Sequence, residues 1–152
     1  MPVPAIPEGY HSITPYLIVH DGPAALAWYC QALGAIELFR HDLKGGKIAH
    51  AELQFGNSRV MLADEFPGMG VRSPKTLGGS GVSLVLYLEN VDAVVTRAVE
   101  AGALVLRPLE DKFYGDRSAT VEDPFGHQWT LSTHIEDVDP AELQRRMAAF
   151  QK

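Results

Sequence analysis

The stretch ITPYLIVHDGPAALAWYCQALGAIELFR, residues 13–40, decides the fold because its pattern returns later in the chain. A strand-like run leads into a helical pattern that ends at Gly34, and VSLVLYLEN at residues 82–90 leads into a second one that ends at Gly102. The two glycines are about 68 residues apart, which indicates an internal repeat. Two copies of a strand–helix–strands unit predict one domain over residues 1–152, in which each half supplies a wall of a small-molecule cleft.

Composition and charge limit the class of protein. The 152 residues are 46% hydrophobic and 21% charged, which is ordinary for a soluble globular domain. A net charge of −6 argues against general binding to nucleic acid or to anionic membranes, because both need a basic face. No apolar run approaches the roughly 20 residues that span a bilayer, and no signal-peptide pattern opens the chain. A single cysteine, Cys30, excludes an internal disulfide, so we expect a cytoplasmic protein.

Turn residues divide the chain into two modules. Strand and helix patterns place module 1 at about residues 11–65 and module 2 at about 81–135. The connector at 66–80 is rich in glycine and proline and is longer than most loops of a compact domain, which favours a lid or a binding role. An Asp-Pro pair predicts a last helix at about 139–150.

Most predicted strands have one apolar face and one mixed face. On the third strand, His50 and Glu52 alternate with alanine and leucine, and on the fourth Arg59 and Met61 alternate with valine and leucine. The apolar faces should pack against helices. The mixed faces should surround a cavity, because Tyr, Met, His, Glu and Arg together suit neither bulk water nor an apolar core.

Three segments carry a resemblance to a known family: residues 13–40, HAELQFGNSRVMLADEFP at 50–67, and YGDRSATVEDPFGHQWTLSTH at 114–134. Together they resemble the glyoxalase/bleomycin-resistance/dioxygenase superfamily, also called vicinal oxygen chelate, and within it the PhnB-type branch. The resemblance covers about residues 11–135. It implies an α+β fold in which two βαβββ modules with mixed sheets form a cup-shaped, incompletely closed barrel, usually within a homodimer.

The resemblance also implies where a metal would bind. Enzymes of that superfamily hold a divalent metal with His or Glu on the cup faces of the first, fourth, fifth and eighth strands. The matching positions here are Thr14, Met61, Ser83 and Thr130. Methionine prefers soft metals, and hydroxyls bind divalent cations weakly without carboxylates beside them. We therefore expect no metal and no cofactor, and neither glyoxalase I nor extradiol dioxygenase activity.

His50 and Glu52 are the catalytic candidates. They are two residues apart on one predicted strand, so both side chains point to the same face. The pair fits a general base with its orienting carboxylate, or half of a displaced metal site. It equally fits a polar pair on an exposed strand face.

Aromatic and basic residues add candidates for ligand contact. Tyr16 and Tyr87 fall at matching places on the first strands of the two halves, where they would sandwich a planar ligand or plug the cavity. Tyr114 lies beside Asp116 and Arg117, and Arg117 fits either a grip on a carboxylate or phosphate or a loop-fixing pair with Asp116. Asp64-Glu65, at the end of the fourth strand, resembles a metal-binding pair but is expected to form an exposed border of the long connector.

Three functions stay open. The first is a metal-independent small-molecule-binding protein, with the ligand held in the cup between the modules. The second is a lyase or isomerase-type enzyme that uses His50 and Glu52, with or without a divalent metal at non-standard ligands. The third is a structural module whose cup is filled by its own side chains. The expected partners are a small molecule and a second copy of the chain. The predicted ligand-binding set is Thr14, Tyr16, His50, Glu52, Arg59, Met61, Ser83, Tyr87, Tyr114, Arg117 and Thr130.

Overall fold

The repeated pattern of the sequence is built twice in a computed structural model that describes residues 2–151. The chain divides into two units, Met1–Ser80 and Gly81–Lys152. Each unit contains a strand, a helix and three further strands in that order, and each has one four-stranded mixed sheet. The α+β class and the two βαβββ modules are thereby confirmed. Among the described residues, no helix is long and apolar enough to cross a membrane.

Unit 1 places three antiparallel strands and one parallel strand in a single sheet. Its elements are β1 (Tyr16–Val19), α1 (Gly22–Leu33), β2 (Ile36–Asp42), β3 (Ile48–Phe55), β4 (Ser58–Asp64) and α2 (Pro74–Leu77), with a single 3₁₀ turn at Pro67–Met69. The strand order is β1-β4-β3-β2, and β1 runs parallel to β4. The connector predicted as a loop therefore carries a short helix, which Ser73 caps at its start and Gly78 at its end.

Helix α1 follows from its capping residues. The Asp21 carboxylate accepts the Ala24 N–H at 3.2 Å, and Gly34 ends the helix in the left-handed region at φ 74°. The helix buries Leu26 and Tyr29 completely, so its apolar stripe belongs to the core of unit 1.

Asp64 contradicts the prediction that it borders an exposed loop. The residue is only 2% exposed, and its carboxylate accepts the N–H of Gly22 at 2.7 Å and the N–H of Ile48 at 2.6 Å. It therefore ties the start of α1 and the start of β3 to the end of β4. The Glu65 carboxylate contacts α2 instead. It accepts hydrogen bonds from the Ser73 N–H at 2.9 Å and the Thr76 hydroxyl at 2.6 Å, which anchor that helix.

Unit 2 repeats the arrangement and adds a last helix. Its elements are β5 (Ser83–Tyr87), α3 (Val91–Glu100), β6 (Leu104–Asp111), β7 (Asp116–Glu122), β8 (Gln128–His134) and α4 (Pro140–Phe150). The strand order is β5-β8-β7-β6, and β5 runs parallel to β8. Buried Asp123 accepts the N–H groups of Phe125 and His127 and the Trp129 indole N–H, which fixes the turn before β8.

One irregularity of each sheet repeats as well. The pairing of β2 with β3 slips between Glu37 and Phe39, and the pairing of β6 with β7 slips between Val105 and Arg107. These two bulges are about 68 residues apart, the same spacing as Gly34 and Gly102. The repeat predicted from the sequence therefore extends to the backbone geometry of the second strand of each unit.

Candidate functional site

One face of the unit 1 sheet gathers several of the predicted site residues. Tyr16 on β1 lies opposite Met61 on β4, Met61 lies opposite Glu52 on β3, and Glu52 lies opposite Phe39 on β2. Residues in one row across a sheet share a face. His50 is two residues from Glu52 on the same strand, so its side chain joins this face.

Hydrogen bonds connect four side chains on this face. The Tyr16 hydroxyl lies 2.7 Å from His50 Nδ1, and His50 Nε2 lies 2.9 Å from Glu52 Oε2. Glu52 Oε1 accepts a hydrogen bond from the Tyr10 hydroxyl. An ionised carboxylate only accepts, so Nε2 of a neutral His50 carries the proton and Nδ1 accepts from Tyr16. The face therefore holds His50 in one tautomer.

The surroundings of this cluster favour an ionised Glu52 carboxylate and protonated hydroxyls on Tyr10 and Tyr16. Hydrogen bonds from Tyr10 and then His50 hold the pKa of the Glu52 carboxyl below its ordinary value. Burial raises the pKa of the Tyr10 hydroxyl, and its hydrogen bond to Glu52 raises it further. Burial also raises the pKa of Tyr16, with a smaller effect from the charge of Glu52. Both tyrosines are therefore proton donors at neutral pH.

Tyr10 is the residue of this cluster that the sequence does not single out. It ends a four-residue turn that is closed by its own N–H donating to the Pro7 carbonyl at 3.0 Å, with Gly9 at φ 85°. The Arg59 guanidinium lies 5.0 Å from the centre of the Tyr10 ring and donates to the Glu8 carbonyl at 3.4 Å. The local signal for this contact is the Pro-Glu-Gly-Tyr turn pattern, but nothing in it identifies the partner.

Arg59 is thus occupied by the N-terminal arm. Its Nε also donates to the Gln54 side-chain oxygen at 3.1 Å, which positions the guanidinium. Thr14, the remaining predicted residue of unit 1, is half-buried and precedes β1.

The pairing of β5 with β8 shows which residue of unit 2 corresponds to Tyr16. Thr130 on β8 lies opposite Val85 on β5, whereas Tyr87 lies opposite Ser132. Since the resemblance equates Thr130 with Met61, and Met61 lies opposite Tyr16, the counterpart of Tyr16 is Val85. The predicted match of Tyr16 with Tyr87 is therefore wrong by two residues. Ser83 is exposed at the start of β5.

Tyr87 belongs to a second hydrogen-bonded cluster. Its hydroxyl donates to Asp116 Oδ2 at 2.7 Å, and Asp116 Oδ1 lies 2.8 Å from His134 Nδ1. The other ring nitrogen of His134 lies 2.7 Å from Asp137. Hydrogen bonds to Asp116 and then to Asp137 raise the pKa of His134. Sequence reasoning finds no partner spacing for His134, because its partners lie on the preceding strand and the following loop.

Arg117 is paired with carboxylates other than Asp116. Its Nε and Nη2 donate to Asp92 at 2.8 and 2.9 Å, and its Nη1 donates to Asp111 at 3.0 Å. These contacts raise the pKa of the Arg117 guanidinium further above its already high value. Arg117 links α3 to the end of β6, and it does not line the cavity of unit 2 at the Phe113 and Phe150 rings.

A cavity of ≈ 680 Å³ lies within unit 2. Its sheet side presents the hydroxyls of Ser118, Thr120 and Thr130, and the Thr120 and Thr130 hydroxyls lie 3.0 Å apart. Helix α4 supplies Phe150, whose ring centre is 5.3 Å from that of Phe113. The other lining residues are Arg107, Glu110, Asp111, Lys112, Tyr114, Glu136 and Arg146. Of the predicted ligand-binding set, the cavity contains Tyr114 and Thr130.

The four positions that correspond to the superfamily metal site do not fit a divalent cation. Thr14, Met61, Ser83 and Thr130 offer three hydroxyls and a thioether, with no carboxylate or imidazole among them. Within residues 2–151, no group of three or more His, Cys, Asp or Glu side chains is placed to hold a metal ion.

Comparisons with known proteins agree with this architecture. The family model described as Glyoxalase/Bleomycin resistance protein/Dioxygenase superfamily matches residues 9–131. An uncharacterized protein of Mycobacterium tuberculosis is 40% identical over 141 residues, a match that covers 91% of this chain and 83% of that protein.

Solved structures show the same fold. TioX from Micromonospora sp. ML1 has a TM-score of 0.63 at 28% identity, and the match covers 82% of this chain and 99% of that one. The PhnB protein of Bacillus cereus has a TM-score of 0.60 at 19% identity, over 81% of this chain and 99% of that one. At that level of identity, the PhnB protein is a relative in fold.

Proposed function

Because the chain belongs to the glyoxalase/bleomycin resistance protein/dioxygenase superfamily, we propose that it binds a small organic molecule without a metal ion. The predicted superfamily is thereby confirmed, while the ligand and the independence from metal are proposals. The observation that carries the ligand is the ≈ 680 Å³ cavity of unit 2, which falls in the size range of small-molecule sites. The independence from metal is supported by the hydroxyls and thioether at Thr14, Met61, Ser83 and Thr130.

The lining of the cavity favours a ligand with an aromatic part and a few polar groups. Phe113, Tyr114 and Phe150 provide flat apolar surface, and the hydroxyls of the sheet side provide donors and acceptors. These features would orient a ligand through a few polar contacts and stack its aromatic part against rings.

Charges in the cavity refine this ligand class. Lys112 is paired with Glu110 at 2.6 Å, and Arg146 with Glu136 at 2.6 Å, so these cations are already neutralised. Arg107 forms no ion pair with any residue that the structure describes, and it faces the same cavity. A single carboxylate or similar anionic group on the ligand would form an ion pair with Arg107. We therefore infer an aromatic ligand that carries one negative charge.

A binding screen tests this function directly. Small aromatic carboxylates would be titrated into protein dialysed against EDTA, with amide chemical shifts followed by NMR. We expect saturable binding with shifts centred on Thr130 and Tyr114, and at least roughly tenfold weaker binding for Arg107→Gln. Arg97→Gln, a substitution on α3 away from the lining residues, is the matched control. Binding that requires an added metal, or no binding at all, would contradict the proposal.

A second candidate, a lyase or isomerase-type enzyme, is favoured by the pairing of His50 with Glu52 at 2.9 Å. Glu52 orients the ring, and the Nδ1 lone pair faces the Tyr16 hydroxyl. Proton abstraction by His50 would then pass through that hydroxyl. If this candidate is right, His50→Ala loses turnover while the circular dichroism spectrum is unchanged. If turnover is lost in Arg107→Gln but not in His50→Ala, the reaction would be assigned to the cavity of unit 2 instead.

A further inference from the structure

The turn that ends in Tyr10 occupies the polar face of unit 1 in the manner of a bound ligand. The Tyr10 ring lies over the Arg59 guanidinium, and its hydroxyl donates to Glu52. A planar cation beneath a ring and an ionised acceptor at its hydroxyl are the two contacts that recognise a phenol. Both side chains on the sheet are positioned by other residues: Glu52 by His50 and Arg59 by Gln54.

The backbone of the turn is shaped for this contact. Gly9 has φ 85°, a conformation that favours glycine, and a Cβ at that position would lie 2.9 Å from Arg59 Nε and closer still to the rest of the guanidinium. The turn therefore favours glycine at residue 9, and the missing Cβ leaves room for the Arg59 guanidinium to lie against it. The contact is a built feature of the chain.

The arm is held by few other contacts. Residues 2–9 are exposed and contain no helix or strand, and Tyr10 itself is half-buried. Segments with few buried contacts and little backbone pairing detach at low free-energy cost. Residues 48–64, which carry Glu52 and Arg59, are in contrast parts of two paired strands in the middle of the sheet.

We propose that Glu52 and Arg59 form a binding site for a hydroxyl-bearing aromatic ring, and that the chain's own Tyr10 fills this site when no such ligand is bound. The ligand hydroxyl donates to Glu52 in place of Tyr10, and the ligand ring replaces the Tyr10 ring over Arg59. Binding displaces the turn at residues 7–10. The inference concerns unit 1 alone and is independent of the cavity in unit 2.

Competition between Tyr10 and a free phenol tests the inference. The probe is 4-methylphenol, which reproduces the tyrosine side chain, and toluene is the matched compound that lacks the hydroxyl. Both are titrated by NMR into the wild type, Tyr10→Ala, and the double variant Tyr10→Ala with Glu52→Gln. Val3→Ala is the control variant, because Val3 lies in the same arm and is 85% exposed.

We expect Tyr10→Ala to bind 4-methylphenol about tenfold more tightly than the wild type, since the competing occupant is gone. Val3→Ala should bind 4-methylphenol with the affinity of the wild type. Tyr10→Ala should not bind toluene more tightly than the wild type does, and the double variant should lose the increase in affinity for 4-methylphenol. Shifts should centre on β3 and β4, and in the wild type they should include the Tyr10 amide. Tyr10→Phe, which keeps the ring over Arg59, should fall between the wild type and Tyr10→Ala.

Three results would overturn the inference. The first is an equal affinity for 4-methylphenol in the wild type and both Tyr10 variants. The second is an equal increase in affinity for toluene and for 4-methylphenol in Tyr10→Ala. The third is a set of chemical-shift changes confined to unit 2. The last result would leave the cavity proposal standing, whereas loss of binding by Arg107→Gln bears only on that cavity. Circular dichroism of each variant checks that the fold is intact. If Tyr10→Ala does not fold, the comparison of Tyr10→Phe with the wild type serves as the test.

Discussion

At the scale of single residues, Gly22 is tightly packed in the core of unit 1. Its N–H donates to Asp64, and a Cβ at this position would meet the same carboxylate and lie 2.6 Å from Ile48 Cγ1. Neither neighbour is free to move, because Asp64 is buried and also accepts from the Ile48 N–H.

We predict that Gly22→Ala lowers the free energy of unfolding by about 1–3 kcal/mol, the usual cost of overpacking. Gly68→Ala is the matched control, since a Cβ there meets nothing within 4 Å. Urea denaturation of both variants measures the difference. An equal, small effect of the two substitutions would show that the contact around Asp64 relaxes without cost.

The tautomer of His50 is a second residue-scale consequence. Glu52 accepts from Nε2 and Tyr16 donates to Nδ1, so we expect the Nε2–H form in the wild type. Glu52→Ala removes the acceptor and should give a mixture of tautomers. Long-range ¹H–¹⁵N NMR of the imidazole reports the populations, and Glu37→Ala on the neighbouring strand is the control. A wild-type ring in the Nδ1–H form would contradict the proposed hydrogen-bond chain.

At the scale of elements, Glu65 connects the end of β4 to α2. Hydrogen bonds from the Thr76 hydroxyl and the Ser73 N–H lower the pKa of this carboxyl from 4.5 to about 2. A carboxyl whose pKa is lower in the folded state stabilises that state above its unfolded pKa, and this stabilisation is lost as pH falls.

We therefore predict that the wild type is more stable than Glu65→Gln at neutral pH. The difference should shrink as pH falls from about 4.5 toward about 2, where the carboxyl becomes protonated in the folded state too. Urea denaturation at several pH values measures the trend. Glu89→Gln, at an exposed position on unit 2, is the control. A difference that persists unchanged at the lowest pH would assign the effect to something other than ionisation.

Elements were also the scale at which the sequence was most informative. Strand alternation and cap residues are local signals, and Gly34 and Asp139 cap the helices for which they are predicted. Strand register is not a local property. Alternation predicts which sheet face Tyr87 lies on, but its cross-strand partner depends on how β5 pairs with β8. Tyr10 and Asp64 act on partners 42 residues away, and no local pattern carries such contacts.

At the scale of the whole molecule, the donor set predicts how the protein treats metals. The superfamily positions Thr14, Met61, Ser83 and Thr130 lack carboxylates and imidazoles, so we expect no near-stoichiometric metal after purification without chelator. Elemental analysis after soaking with zinc, nickel, manganese and iron(II), followed by dialysis, tests this. Retained metal would redirect the search to His50 and Glu52, and His50→Ala would then be expected to release it.

Self-association is the other molecule-scale expectation, and it comes from the superfamily resemblance. Large apolar side chains on the edge strands are exposed, including Ile36 at 62% and Leu104 at 59%. Exposed apolar edge strands are typical of surfaces that pair with another chain. We predict a homodimer at micromolar concentration, measured by sedimentation velocity. A monomer over the whole concentration range would contradict the prediction.

The paired bulges of β2 and β6 bear on the history of the chain. Each inserts one extra residue into the second strand of its unit, at positions about 68 residues apart. A bulge of this kind persists within a lineage because it fixes the bend of its strand. Its occurrence at the same place in both halves is most simply explained if an ancestor of half the length already had it. The bulge is then older than the duplication of the unit.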